Sequence, residues 1–217
     1  YIYIYLMLFA WIKICTKLNI SLLISTKHTN YLILLHLLIA LSSIIFFAKG
    51  ENLDLSTYKS LFTAQMAYGA SIVSSIFTFI IIYSIFKKYP KGRTAEDNIL
   101  KYSLFLSIIL FNYGGIISLF IKDSNTIIPA HYHGSTVGVT VALMGYIYLL
   151  LPKLNYGRIT KQIFSYQPLI YAFGQIMHIT GLAISGGYGA LRKSPDAALS
   201  MKAQFWMGIM GFGGLLA

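Results

Sequence analysis

Residues 131–151 read HYHGSTVGVTVALMGYIYLLL, and this run decides the fold class of the chain. Its length is close to the roughly 20 residues that an α-helix needs to cross the hydrocarbon core of a bilayer. In lipid, every backbone N–H and C=O must find a partner within its own segment, which favours a helix over a strand. The run is therefore predicted to be a transmembrane helix.

Similar apolar runs recur along the whole chain, which has 217 residues, 57% of them hydrophobic and 11% charged. A soluble domain carries about 25% charged residues. The predicted spans cover residues 1–25, 31–48, 61–86, 100–121, 131–151, 167–188 and 205–217. We predict an all-α fold, a polytopic membrane helical bundle of about seven transmembrane helices. These helices are expected to form a single transmembrane domain over residues 1–217.

The net charge of +11 is distributed unevenly among the predicted connections. The basic residues in or beside the first, third and fifth connections are Lys13, Lys17, Lys27, Lys87, Lys88, Lys91, Arg93, Lys101, Lys153, Arg158 and Lys161. Because basic loops stay on the cytoplasmic or matrix side, these connections are predicted to face inside and the other three outside. No nucleic-acid partner is expected, since the sequence contains no phosphate-binding loop, zinc-ligand spacing or basic-aromatic pattern.

Two histidines, His131 and His133, open the fifth predicted span at its outer end. Residues at i and i+2 on a helix point about 200° apart, since each residue turns by about 100°. The two imidazoles therefore reach partners on opposite sides of the helix rather than sharing one metal ion. Imidazole is a strong axial ligand of heme iron, so one helix with this pair can lie between two hemes. The alternative is a pair of polar residues at the interfacial start of a helix.

A basic pair, Arg192-Lys193, lies in the sixth connection, on the same predicted side of the membrane as the histidines. Heme propionates need cationic hydrogen-bond donors, and arginine binds carboxylates well. We predict that Arg192 and Lys193 hold propionates at the outer end of a heme pocket. The alternative is an interfacial pair whose stems lie along apolar surface while the charges stay in water.

Four short motifs together resemble the second half of the large catalytic subunit of the heme-copper oxidases, its helices six to twelve. They are LFTAQM at 61–66, LFNYGG at 110–115, AHYH at 130–133 followed by 137–139 and 151–154, and GGYGALRK at 186–193 followed by 195–197. The second motif is similar to a Gly-Gly turn of the family's ninth helix. The resemblance implies that His131 ligates a high-spin heme, that His133 ligates a low-spin heme, and that Arg192-Lys193 binds propionates.

The chain departs from this family at the copper site. The resemblance implies one copper-ligating histidine on the first helix here and an adjacent pair at the outer end of the second. The chain has no histidine before His28, and Phe46-Phe47 stands at the position of the pair. Copper is therefore not expected. A lysine of the family's eighth helix is replaced near Ser75, and Asp123-Ser124 stands where the family has a His-Asp magnesium pair, which leaves Asp123 as a candidate cation ligand.

The resemblance implies a heme-binding membrane subunit of a respiratory electron-transfer complex, with one or two hemes. Such a subunit belongs to an oxygen- or nitric-oxide-reducing oxidoreductase, or to an electron-transfer relative that has lost copper. The alternative is a heme-free structural or assembly subunit. The family's first five helices, which carry the second axial ligand of the low-spin heme, lie outside this sequence. That ligand is expected from His36, His178 or another chain.

Because the sequence begins at Tyr1 and ends inside an apolar run, it is expected to be a processed or partial chain that needs further membrane subunits. Its expected partners are those subunits of the respiratory complex, the lipid bilayer and a cytochrome c-like electron donor. The expected location is a bacterial inner membrane or the mitochondrial inner membrane.

Overall fold

The computed structural model of the chain describes residues 1–87, 94–193 and 199–217, apart from the side chains of Glu51 and Ala70. Within these ranges the fold is all-α. The α-helices are α1 (Ile2–Lys17), α2 (Thr26–Lys49), α3 (Leu55–Ala64), α4 (Ser71–Lys87), α5 (Ala95–Ser118), α6 (Ile127–Leu150), α7 (Tyr166–Gly187) and α8 (Met201–Leu216). The predicted helical membrane bundle is confirmed.

Five helical segments of the described residues are long and apolar enough to cross a membrane. They are Thr26–Lys49, Leu55–Lys87, Ala95–Ser118, Ile127–Leu154 and Gln162–Gly187. The second of them joins α3 and α4 through a π-helical turn, Gln65–Ala70. The helices α1 and α8 have 16 residues each and are shorter than a full span. The chain is therefore a membrane protein, and each of the seven predicted runs contains a helix.

The first predicted run, 1–25, is too long. Helix α1 ends at Lys17, and Asn19 follows it in the left-handed conformation with φ 56°. An asparagine tolerates this conformation because its short polar side chain bonds locally, and it commonly ends a helix. Ser25 then begins α2, accepting a hydrogen bond at its side chain from the His28 N–H. Residues 18–25 are thus a connection rather than the end of a span.

The chain divides into two compact units, Tyr1–Lys91 and Gly92–Ala217. The prediction of one transmembrane domain over 1–217 stays a prediction. In the first unit, Gln65 is buried at the start of the π-helical turn and links two helices. Its side-chain N–H groups donate to the Ile39 carbonyl and the Ser42 hydroxyl, both at 2.7 Å. These bonds give a buried amide the partners that it needs in an apolar interior.

In the second unit, α6 packs between α5 and α7, and α7 packs against α8. The helices α5 and α6 touch through their backbones at Gly114 and Gly134, where a Cβ atom added to Gly114 would lie 2.4 Å from the Ser135 nitrogen. Small residues allow this approach, which supplies the packing that holds membrane helices together. Gly114 and Gly115 lie inside the continuous helix α5. The resemblance implied a turn at this pair, and the structure shows a helix there instead.

The helices α7 and α8 approach as closely as α5 and α6 do. A Cβ atom on Gly213 would lie 2.5 Å from the Gly174 carbonyl oxygen and equally close to the His178 nitrogen. A Cβ atom on Gly181 would lie 2.6 Å from the Met210 nitrogen. The backbone of α8 is therefore directly behind the middle of α7, on which His178 lies.

Candidate functional site

His131 lies in the second turn of α6 and faces α5. Its Nδ1 atom is 2.8 Å from the Gly114 carbonyl oxygen, at the point where the two backbones touch. A carbonyl only accepts hydrogen bonds, so Nδ1 must carry the proton and donate it. In the neutral imidazole the lone pair is then on Nε2. This arrangement, with Nδ1 held by a backbone carbonyl, is the one in which a histidine presents Nε2 to a metal.

His133 lies against α7, on a different side of α6 from the Gly114 contact of His131. Its ring centre is 5.1 Å from that of His178, and the two rings are nearly perpendicular, at 88°. The Nδ1 atom of His178 is 3.0 Å from the Met210 carbonyl oxygen of α8. By the same reasoning as for His131, His178 carries its proton on Nδ1 and its lone pair on Nε2. The two α6 histidines thus reach different helices, as their spacing predicts.

The distance between His133 and His178 bears on whether His178 can be the second axial ligand expected for a low-spin heme at His133. Two imidazoles on opposite faces of one iron have ring centres roughly 6 Å apart, given metal–nitrogen bonds of about 2 Å. The observed separation of 5.1 Å is shorter, and the rings are in edge contact with each other. In this arrangement His178 is the neighbour of His133 rather than its counterpart across a porphyrin.

Two loops pair at the end of the unit where α6 begins. Asn125 and Leu191 form an antiparallel bridge, in which the Thr126 N–H donates to the Ala190 carbonyl at 3.0 Å. The Arg192 N–H donates to the carbonyl of Ser124 at 3.1 Å. The Thr126 hydroxyl also donates to the Leu182 carbonyl of α7, at 2.8 Å. These bonds fix the Arg192 backbone beside the start of α6.

Arg192 uses this position to cover Tyr132, the residue between the two histidines. Its guanidinium carbon is 5.9 Å from the centre of the Tyr132 ring, within the range of a cation–π interaction. The Tyr132 ring centre is in turn 5.0 Å from that of His133. Lys193 is exposed and has a left-handed backbone, with φ 60°. The structure therefore brings Arg192 to the histidines, whereas Lys193 lies at the surface.

The other histidine proposed for heme, His36, belongs to the first unit and is fully buried in α2. Its Nε2 atom is 3.4 Å from the Tyr1 carbonyl oxygen, and among the described residues its Nδ1 atom has no hydrogen-bond partner. Phe46 packs edge-on against Phe62, with ring centres 6.0 Å apart, which is an ordinary apolar contact. Asp123 is exposed in the loop before α6.

Two backbone carbonyls of the site were missed in the sequence, those of Gly114 and Met210. A carbonyl leaves no signature of its own, because every residue has one. The Gly114-Gly115 pair did indicate a close helix approach, but its contact with the His131 ring depends on how α5 and α6 meet. The described residues contain no cluster of three or more His, Cys, Asp or Glu side chains that could hold a metal ion.

Comparison with known proteins finds a bacterial relative that aligns with the whole chain. The chain is 32% identical over 254 aligned residues to the Uncharacterized protein RP382 of Rickettsia prowazekii (strain Madrid E). The alignment covers 100% of this chain and 49% of the relative, so the chain spans about half the length of the protein that it matches. No family model matches the chain. No solved structure matches it either.

Proposed function

We propose that this chain is a heme-binding membrane subunit of a respiratory electron-transfer complex, with His131 and His133 as axial ligands. The observation that carries the proposal is the environment of His131. Its Nδ1 proton is held by the Gly114 carbonyl, which leaves Nε2 as a free lone pair near one end of a membrane helix. An imidazole with a free Nε2 lone pair can ligate heme iron.

The surrounding residues fit a porphyrin with acidic substituents. His131 and His133 contact different helices, so the two imidazoles do not compete for one iron. Arg192 lies at the same end and covers the aromatic ring between them. A guanidinium there can donate to a propionate while its backbone stays fixed by the paired loops. Bound heme would supply one-electron redox chemistry, and the chain's own residues hold and orient it.

We propose the wider biological setting from the resemblance to heme-copper oxidases. The complex is an oxygen- or nitric-oxide-reducing oxidoreductase, or an electron-transfer relative that has lost copper, because Phe46-Phe47 stands at the expected copper ligands. Other membrane subunits supply the missing axial ligand, and a cytochrome c-like protein donates electrons. The membrane is a bacterial inner membrane or the mitochondrial inner membrane.

A reduced-minus-oxidised visible spectrum of the purified complex tests the heme assignment. His131→Ala and His133→Ala should each remove one heme signal and leave the other. His28→Ala is the matched control, because His28 is exposed in the first turn of α2. If both α6 variants keep the full heme content, or if the complex contains no heme, the chain is instead a structural or assembly subunit.

A second experiment tests the role of Arg192. Arg192→Leu should lower the midpoint potential of the heme, because a cation near the propionates helps to hold the added electron. Lys202→Leu removes the same charge from the same end of the unit, where Lys202 covers Tyr188 at 5.5 Å. An equal shift in both variants would mean that Arg192 acts only through the overall charge, and no shift in either would favour an interfacial role.

A further inference from the structure

His178 of α7 contacts both of its neighbouring helices, α6 and α8. On one side its ring is in perpendicular edge contact with His133 of α6, at 5.1 Å between centres. On the other side its Nδ1 atom bonds to the Met210 carbonyl of α8, at 3.0 Å. The three elements form a series across the unit, from the α8 backbone through His178 to His133.

The position of the His178 ring is determined by the glycines of α8. Gly213 has no Cβ atom, which lets the α8 backbone approach the His178 nitrogen. A Cβ atom on Gly214 would lie 3.2 Å from the Nδ1 atom of His178, so the ring itself is in contact with that helix. Gly208 and Gly211 of the same helix have nothing within 4 Å of an added Cβ atom. The turn of α8 behind His178 is therefore closely packed, whereas the faces that carry Gly208 and Gly211 are open.

We propose that His178 is a positioning residue for His133, a role that rests on the proposed function. The Met210 carbonyl fixes the tautomer and the plane of the His178 ring, and this ring sets the plane of the His133 imidazole. Groups behind a metal ligand commonly orient it and tune the metal in this way. Helix α8 thus contributes to a heme at His133 through its backbone, without touching the iron.

The positioning role gives a reason for a histidine at position 178, inside a membrane helix where polar residues are energetically costly. A histidine within a membrane helix must be neutral and bonded, or it destabilises the protein. The bond to Met210 meets that requirement by itself, and a serine or glutamine could make a similar one. A flat, rigid ring adds a restraint on the neighbouring His133 ring that those side chains would not supply.

The test uses four variants of the intact complex and two measurements. The electron paramagnetic resonance g-values of the low-spin ferric heme report the plane of its axial imidazoles. The reduced-minus-oxidised spectrum reports heme content. His178→Ala removes the restraining ring, His178→Phe keeps a flat ring without the bond to Met210, and Gly214→Ala displaces the ring from α8. Gly211→Ala is the control, since its Cβ atom meets nothing within 4 Å.

We expect unchanged heme content, with g-values shifted most in His178→Ala, less in His178→Phe and Gly214→Ala, and not in Gly211→Ala. If His178→Ala does not assemble, the pair Gly214→Ala and Gly211→Ala decides alone. Equal g-values in wild type, His178→Phe and Gly214→Ala, with a heme that depends on His133, would overturn this assignment and leave the proposed function intact. A wild-type complex without heme would refute the proposed function, and the assignment with it.

Discussion

The two units of the chain bring their helices together in different ways. In Gly92–Ala217 the helices meet backbone to backbone, so that Cβ atoms on Gly114, Gly134 or Gly181 would strike main-chain atoms. In Tyr1–Lys91 a Cβ atom on Gly69 would lie 2.5 Å from the Cγ2 methyl group of the Ile39 side chain. A side chain can rotate away, whereas a helix backbone can move only if the whole helix moves.

The histidines of the two units also differ in how firmly neighbouring helices hold their rings. His131 and His178 have their Nδ1 atoms fixed by carbonyls of neighbouring helices. The Nε2 atom of His36, by contrast, lies a long 3.4 Å from the Tyr1 carbonyl oxygen, and among the described residues its Nδ1 atom has no hydrogen-bond partner. Close backbone packing therefore gives the second unit imidazoles of defined tautomer and direction. Such precision is what the metal ligation proposed for this unit would require.

The largest expected effect is that of Gly114→Ala. The added Cβ atom would lie 2.4 Å from the Ser135 nitrogen and 2.8 Å from the His131 carbonyl oxygen, so α5 and α6 must separate. We expect a loss of about 3 kcal/mol in unfolding free energy, the upper range for overpacking. Gly115→Ala is the control, because its Cβ atom has open space. Unfolding in mixed detergent micelles measures the stability of both variants. Equal stabilities would contradict the rigid backbone packing inferred for the second unit.

A smaller effect is expected where side chains alone join two helices of the second unit. The Tyr113 hydroxyl of α5 bonds to the Thr180 hydroxyl of α7, at 2.8 Å. Hydrogen bonds between membrane helices are worth about 0.6 kcal/mol on average. Tyr113→Phe and Thr180→Val should each cost about that much. The double variant should cost no more than either alone, and simple additivity in this cycle would show that the bond contributes nothing.

Gly69→Ala should be close to neutral. The atom in contact is a side-chain methyl group of Ile39, which can shift more readily than a helix backbone, and replacing glycine by alanine lowers the entropy of the unfolded chain. We expect the unfolding free energy to change by less than about 0.5 kcal/mol, as for a substitution without strain. The same unfolding assay applies. A loss as large as that of Gly114→Ala would show that the first unit is packed as rigidly as the second.

The smallest effect concerns the start of α3 in the first unit. Asp54 accepts hydrogen bonds from the Thr57 N–H at 2.8 Å and from the Thr57 hydroxyl at 2.9 Å. These bonds lower the pKa of Asp54 below its ordinary value. The stabilisation is present above the unfolded pKa of about 3.9 and is lost as the pH falls through the lower, folded value.

Asp54→Asn keeps a good helix cap but has no charge to titrate. Its unfolding free energy should therefore depend less on pH between about 2 and 4 than that of the wild type. Parallel unfolding series over that range provide the measurement. Identical pH profiles would show that the cap of α3 does not couple to the stability of the unit.

Much of this architecture is already present in the residue pattern. The apolar runs predict a helical membrane bundle, and each of the seven overlaps a helix, because a helix satisfies its backbone groups within its own segment in lipid. Helix ends are less certain, as the run 1–25 shows. A left-handed Asn19 ends α1 inside a stretch whose hydropathy still resembles a span. Local backbone conformation decides that point, and average hydropathy does not report it.

The candidate site also has one part that the sequence predicts and another that depends on how the helices pack. The sequence by itself determined that His131 and His133 point apart, because two residues on a helix must turn by a fixed angle. It also indicated that Arg192 belongs to the same end of the membrane. Only the tertiary structure decided that Gly114 and Met210 supply the carbonyls, and that His178 lies beside His133. These contacts depend on the register between helices, which follows from how their glycines meet and from no single segment of the chain.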